Sequence, residues 1–249
     1  MNIFRFLLNI LFPPHCVFCD RTMEPNAEVC ICGSCPERVT LCSASPCCEK
    51  CGKPLISYGD KKLCYFCLNT KSKHFDKIVS VFTYDNLVQE SIRRYKINGI
   101  ASYAPTYAVC MQGRFFEEYG DTDFDFMCGT PSHTDKLKNG GFDQTDELCR
   151  RLSPLIGVPY RPRLLYKTRE TEKQSTLGVA ARRTNLTDSV EVAEGENVEG
   201  ATALLIDDVC TTRSTIIECS RALKAAGAKR VFALTLATTE KKAENENKA

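Results

Sequence analysis

ALLIDDVCTTRST, residues 203–215, is the stretch whose reading decides the rest of this chain. Leu204, Leu205 and Ile206 form a short apolar run, the pattern of a parallel strand covered on both faces. Asp207 and Asp208 then stand at the carboxyl end of that strand, where open α/β sheets place their ligands. Thr211, Thr212, Ser214 and Thr215 bring hydroxyls and backbone N–H groups to the mouth of the next helix, an anion-favouring position. Ile216, Cys219, Leu223 and Ala226 recur on one helical face, and Gly227 is a suitable stop. Two adjacent acids alone would suit a strand, an acidic turn and a capped helix without a ligand. The whole thirteen-residue pattern favours a ligand site.

Working outward, RVFALTLATT (residues 230–239) reads as a following strand and residues 241–249 as a charged, disordered tail. Upstream, IVSVFTYDN alternates like a strand that ends in a turn, and residues 87–95 and 103–119 carry helical spacing. FDFMCG reads as a short buried strand. Residues 142–155 read as a helix, with Leu148, Leu152 and Leu155 on one face. Residues 161–173 read as a charged loop, a helix is expected over 177–183, and VEVAEGENVEG reads as an acidic excursion. Strands alternating with helices imply an α/β fold with a doubly wound parallel sheet. The expected division is an N-terminal helix and cysteine-rich module over 1–70, a connecting segment over 71–100, the sheet domain over 101–240 and the tail over 241–249.

The chain has 16 cysteines, and 11 of them lie between Cys16 and Cys67. Cys16-x2-Cys19 is followed by 12 residues and Cys32-x2-Cys35; Cys48-x2-Cys51 is followed by 12 residues and Cys64-x2-Cys67. Such thiolate pairs chelate one tetrahedral ion between two pairs, so the repeat predicts two structural zinc ions. Crossed pairing of the four units satisfies the spacing as well. Gly33 and Gly52 are candidates for the tight knuckle turns. Cys30, Cys42 and Cys47 are surplus to the two sets, and a module this small is expected to unfold on chelation.

The net charge of +2 gives no strong steering toward nucleic acid or membrane. The apolar run from Phe6 to Phe12 is interrupted by Asn9 and stopped by Pro13 and Pro14, which reads as a short amphipathic helix rather than a signal peptide. No apolar run approaches 20 residues, so no transmembrane span is expected and the location is read as cytoplasmic.

The strand–DD–TT–x–x–T–helix pattern resembles the phosphoribosyl pyrophosphate signature of type I phosphoribosyltransferases. The order of motifs along nearly the whole chain resembles the ComF family, proteins of bacterial DNA uptake. The opening LFPPHCVFC, the cysteine ribbon, RRYKINGI, GFDQTDEL, TRETEKQSTLGVAARRTN and LLIDDVCTTRST carry that resemblance. It implies a phosphoribosyltransferase-like sheet behind a double zinc ribbon. It also implies that Asp207 and Asp208 hold the ribose hydroxyls and that residues 211–215 cradle the 5′-phosphate. Arg169, in the R-x-T-x-x-Q element, covers the leaving pyrophosphate, and Thr130 and His133 stand at the family's pyrophosphate turn. Magnesium would accompany the pyrophosphate.

Two departures from the family stand out. KLKNGG replaces an arginine-rich stretch before GFDQ, and Arg213 occupies a position that is usually Gly. Arg there either strains the backbone or aims a guanidinium at the phosphate, so turnover is more in question than binding, and no acceptor-recognising base is identifiable. The implied function is a phosphoribosyl-pyrophosphate-binding protein of natural transformation. The alternatives are a catalytically inactive nucleic-acid adaptor, with single-stranded DNA and uptake proteins as partners and Arg93, Arg94 and Lys96 as a basic patch, and a salvage phosphoribosyltransferase.

Overall fold

The computed structural model describes residues 9–55, 62–69, 74–131, 143–168 and 189–239. In chain order these form α1 (Tyr65–Asn69), β1 (Lys77–Thr83), α2 (Asn86–Ile97), α3 (Ala104–Tyr119), β2 (Phe126–Gly129), α4 (Gln144–Ile156), β3 (Leu165–Lys167), β4 (Val190–Val192), β5 (Thr202–Cys210), α5 (Ser214–Ala225) and β6 (Arg230–Thr238). Local chemistry sets several of the boundaries. Asp85 caps α2 by accepting from Val88 N at 3.3 Å. Asp143 caps α4 by accepting from the N–H groups of Thr145 and Asp146, both at 3.1 Å. Gly157, at φ 73°, ends α4 in the left-handed conformation that glycine adopts without steric cost.

The main sheet has the order β1-β6-β5-β2, and every pairing in it is parallel. A small antiparallel pair, β3 with β4, lies beside it. Alternate residues along the strands feed two separate cores. Leu204, Ile206, Leu234 and Leu236 pack with Ile92, Met111, Leu148 and Leu152 of α2, α3 and α4. Ala203, Leu205, Val231 and Ala233 pack with Ile216, Cys219 and Leu223 of α5, and with Leu165 and Val190. Each fully buried Leu or Ile contributes about 1.5–3 kcal/mol.

The cysteine-rich region is built into this sheet. Cys16, Cys32 and Cys35 belong to the first core, and Cys48, Cys51 and Cys64 to the second. The region also covers the outer edge of β1. Thr83 N donates to Thr40 O and Ile78 N to Lys50 O, both at 2.9 Å, and Leu41 forms an antiparallel bridge with Phe82. The opposite edge, β2, is covered by the segment at Tyr160: Met127 N donates to Pro159 O at 2.8 Å and Arg161 N to Met127 O at 2.9 Å. An uncovered strand edge would invite foreign pairing.

Three readings of the sequence change. The central strand runs through Cys210, so Asp207 and Asp208 lie within it, and Asp207 pairs in register with Thr235. Residues expected to form a connector supply β1 and α2. The segments read as a charged loop and an acidic excursion pair as β3 and β4. The helix expected over 177–183 lies outside the described residues.

Candidate functional site

The eight cysteines of the repeated spacing form two sets, Cys16/Cys19/Cys32/Cys35 and Cys48/Cys51/Cys64/Cys67, and within each set all four sulfurs lie within 4.8 Å of one another. The units therefore pair in sequence order rather than crossed. In the first set the Sγ–Sγ separations are 3.8 Å for Cys16–Cys35, 3.5 Å for Cys19–Cys32 and 3.5 Å for Cys32–Cys35. In the second, Cys51–Cys64 is 3.6 Å. A tetrahedron with zinc–sulfur bonds of about 2.3 Å has edges of about 3.8 Å, so both sets fit one zinc ion each.

Backbone geometry repeats between the two sets. Asp20 N donates to Cys16 O at 2.9 Å and Gly52 N to Cys48 O at 2.8 Å; Cys32 N donates to Cys16 Sγ at 3.3 Å and Cys64 N to Cys48 Sγ at 3.4 Å. The residue after the second cysteine is left-handed in both sets, Asp20 at φ 61° and Gly52 at φ 66°. Gly33 is not among the positive-φ residues, so the permissive knuckle glycine is Gly52. A Cβ there would stand 2.7 Å from Ile78 O.

The two adjacent acids differ in their surroundings. Asp207 Oδ1 accepts from Thr130 Oγ1 at 2.9 Å and from Asp208 N at 2.9 Å. Asp208 accepts from Val209 N at 2.6 Å and pairs with Lys96 Nζ at 2.7 Å. Burial and the neighbouring Asp208 charge push Asp207 up to about 7, while Lys96 and Thr130 act against the shift. The Lys96 ammonium is held up in the other direction: burial opposes its charge, but the two acids outweigh burial. Lys167 of β3 also lies in the field of Asp207, and burial lowers its pKa.

Lys96 was not visible as part of this site in the sequence, where it stood in a basic stretch. Its placement comes from α2, whose C-terminal end is locked to α4: Gln144 Nε2 donates to Lys96 O at 3.1 Å and Tyr95 OH to Gln144 O at 2.7 Å. The GFDQ element thus contributes Asp143 as a helix cap and Gln144 as the tie to α2.

Between β5 and α5 the turn is compact. A small, shallow cleft is lined by Asp207 and residues 209–216, including Thr211, Thr212, Ser214 and Thr215. Thr212 Oγ1 and Ser214 Oγ lie 2.9 Å apart. Arg213 precedes α5 at φ 65° and ψ 0°, a left-handed conformation that costs a non-glycine residue about 1–2 kcal/mol. Its guanidinium is turned toward Phe66. The guanidinium carbon lies 4.8 Å from the Phe66 ring centroid, and the group lies in the electrostatic field of Cys51 of the second sulfur set. The reading in which it aims at a phosphate is corrected: desolvation opposes burying the guanidinium there, and the ring face and the field of the nearby cysteines offset that cost.

The structure thus brings together Thr130, Asp207, Asp208 and residues 211–215, and adds Lys96. Arg169 and His133 lie outside the described residues. The basic patch expected at Arg93, Arg94 and Lys96 does not form. Arg94 Nη2 donates to Val17 O at 3.0 Å and Phe18 O at 2.6 Å, Lys96 serves Asp208, and Arg93 pairs with Glu90 at 3.1 Å. Among the described residues no helix is long and apolar enough to cross a membrane.

Comparison with known proteins agrees with this layout. A model of the double zinc ribbon domain matches residues 7–68, and a model of the phosphoribosyl transferase domain matches residues 138–249. Competence protein F of Haemophilus influenzae is 24% identical over 235 residues, covering 93% of this chain and 96% of the relative. Competence protein ComFC of Bacillus subtilis is 25% identical over 211 residues, covering 81% and 80%. DNA utilization protein YhgH of Salmonella typhi is 26% identical over 207 residues, covering 82% and 86%. Two sulfur sets at zinc spacing, built into a parallel sheet with paired acids on its central strand, agree with the two matched domains: this chain joins a double zinc ribbon to a phosphoribosyltransferase domain and is similar over most of its length to the competence proteins F and ComFC.

Proposed function

We propose that this protein binds phosphoribosyl pyrophosphate, with magnesium, at the carboxyl end of β5, and that it serves DNA uptake or DNA utilization. One observation carries the ligand reading: Asp207 and Asp208 stand on the central strand directly before a hydroxyl-lined turn that opens onto the N-terminus of α5. Carboxylates there accept hydrogen bonds from the two ribose hydroxyls. The turn's backbone N–H groups and the α5 dipole favour a phosphate. Thr130 holds Asp207 from below, and Lys96 sets the charge balance of the pair. In this reading the Lys96 ammonium also attracts the ligand's phosphate charge. The names of the relatives support the cellular role, and the two zinc ions are structural in this reading.

Isothermal titration of phosphoribosyl pyrophosphate with magnesium into the zinc-loaded protein tests the ligand. Hydrogen bonds to charged groups contribute about 1.5–3 kcal/mol each, so Asp207→Asn and Asp208→Asn each weaken binding at least about tenfold. Unchanged affinity in a folded double variant places the ligand elsewhere. Single-stranded DNA titrated in parallel separates this reading from that of an adaptor whose nucleotide site is vestigial.

A further inference from the structure

We infer that Arg213 is a positioning residue that anchors the turn before α5 to the second cysteine set, so that metal retention and phosphate binding are coupled through one side chain. This rests on the phosphate reading of the turn given above.

The observation is the direction of the side chain. Arg213 belongs to the turn by its backbone, which is left-handed at φ 65° and adjoins the cleft. It belongs to the ribbon by its guanidinium. That group lies over Phe66, 4.8 Å from the ring centroid. Phe66 sits on α1 between Cys64 and Cys67, two ligands of the same set. One side chain therefore reaches from the turn to the helix that carries Cys67 and follows Cys64.

The chemistry gives the contact a charge dependence. Four thiolates around a divalent zinc ion carry a net charge of −2, and a guanidinium is the cation best suited to lie against such a group while stacked on a ring. With the ion removed and the sulfurs protonated, that attraction is gone. What then remains to hold a non-glycine residue in the left-handed conformation is the contact with the Phe66 ring, without the charge attraction. The turn is loosened, although none of its own hydroxyls or N–H groups has changed. Linkage makes the effect reciprocal: a ligand that orders the turn strengthens metal retention by the same factor.

The test uses the full zinc-loaded chain and two readouts. The first is the rate at which each zinc ion passes to a colorimetric chelating dye, and the second is the affinity for phosphoribosyl pyrophosphate with magnesium. In Arg213→Met one of the two ions is expected to leave at least about tenfold faster, with a similar loss of affinity. Arg213→Lys restores part of the retention. Arg213→Gly is decisive, because it relieves the backbone and removes the anchor together. The inference expects fast release from this variant. Zinc release at the wild-type rate from both the Gly and the Met variants overturns it. A wild-type chain that binds no phosphoribosyl pyrophosphate, while the variants still release zinc quickly, overturns the ligand reading and leaves the anchor standing.

Discussion

Asp207 is the residue at which charge and ligand binding meet. Its carboxyl is pushed from an ordinary 3.8 up to about 7 by burial and by Asp208. A raised acid binds its proton more tightly in the folded chain than in the unfolded one, so its contribution to stability is present at low pH and is lost as pH rises between about 4 and 7. Ligand binding runs the other way, because sugar hydroxyls donate best to the ionised acid. Affinity for phosphoribosyl pyrophosphate is therefore expected to strengthen by about tenfold per pH unit below 7 and to level off above it. Titrations from pH 5.5 to 8.5 check this, with Asp207→Asn as the control that lacks the step. Lys96→Met removes a cation that holds the pKa down and moves the step to higher pH. The two acids could be read from the sequence because the residues that define them are contiguous. Lys96 could not, because its partner Asp208 is far away along the chain.

Among the elements, the knuckle at Gly52 and strand β1 depend on each other. Gly52 lies where its missing Cβ would stand 2.7 Å from Ile78 O, next to the hydrogen bond from Ile78 N to Lys50 O. Gly52→Ala is expected to lower stability by roughly 2 kcal/mol from its left-handed backbone alone. Displacement of the β1 edge adds to that, and chemical denaturation of the zinc-loaded variant measures the sum. Periodicity revealed α2, α3 and α4 in the sequence because each buries a regular face. It failed for β3 and β4. Each has three residues and buries only one of them, Leu165 and Val190, which leaves no alternation to detect. The far half of β5 was hidden for a different reason: its two acids break the apolar run that marks the near half.

For the whole molecule, the placement of the sulfur sets changes what metal removal does. Sequence spacing suggested a module that unfolds by itself. Instead one set is embedded in the core on each side of the sheet, and the segment between them covers the β1 edge. Structural zinc contributes on the order of 10–16 kcal/mol of apparent binding free energy, as much as the roughly 5–15 kcal/mol that holds a typical domain folded. Anaerobically purified protein is expected to hold two zinc ions per chain by elemental analysis. Chelation is expected to bring ribbon and sheet down in a single transition. Two separate transitions in calorimetry, with the sheet surviving, would show that the cores are independent. The pairing of the cysteine sets was in the spacing; their division between two faces was not, because it depends on the path of β1 between them.

Strand β6 has a consequence for how the protein is made. It lies between β1 and β5, yet it follows both in the chain. A ribosome therefore delivers the two flanking strands before the one that joins them. At ordinary elongation rates the interval from β1 to β6 is on the order of 10 s. During it, the outer side of β1 can be shielded by the ribbon, which is synthesised earlier, while its inner side and the facing side of β5 wait unpaired. A nascent chain halted before Arg230 carries two bare strand edges, each a template for pairing with a neighbouring chain.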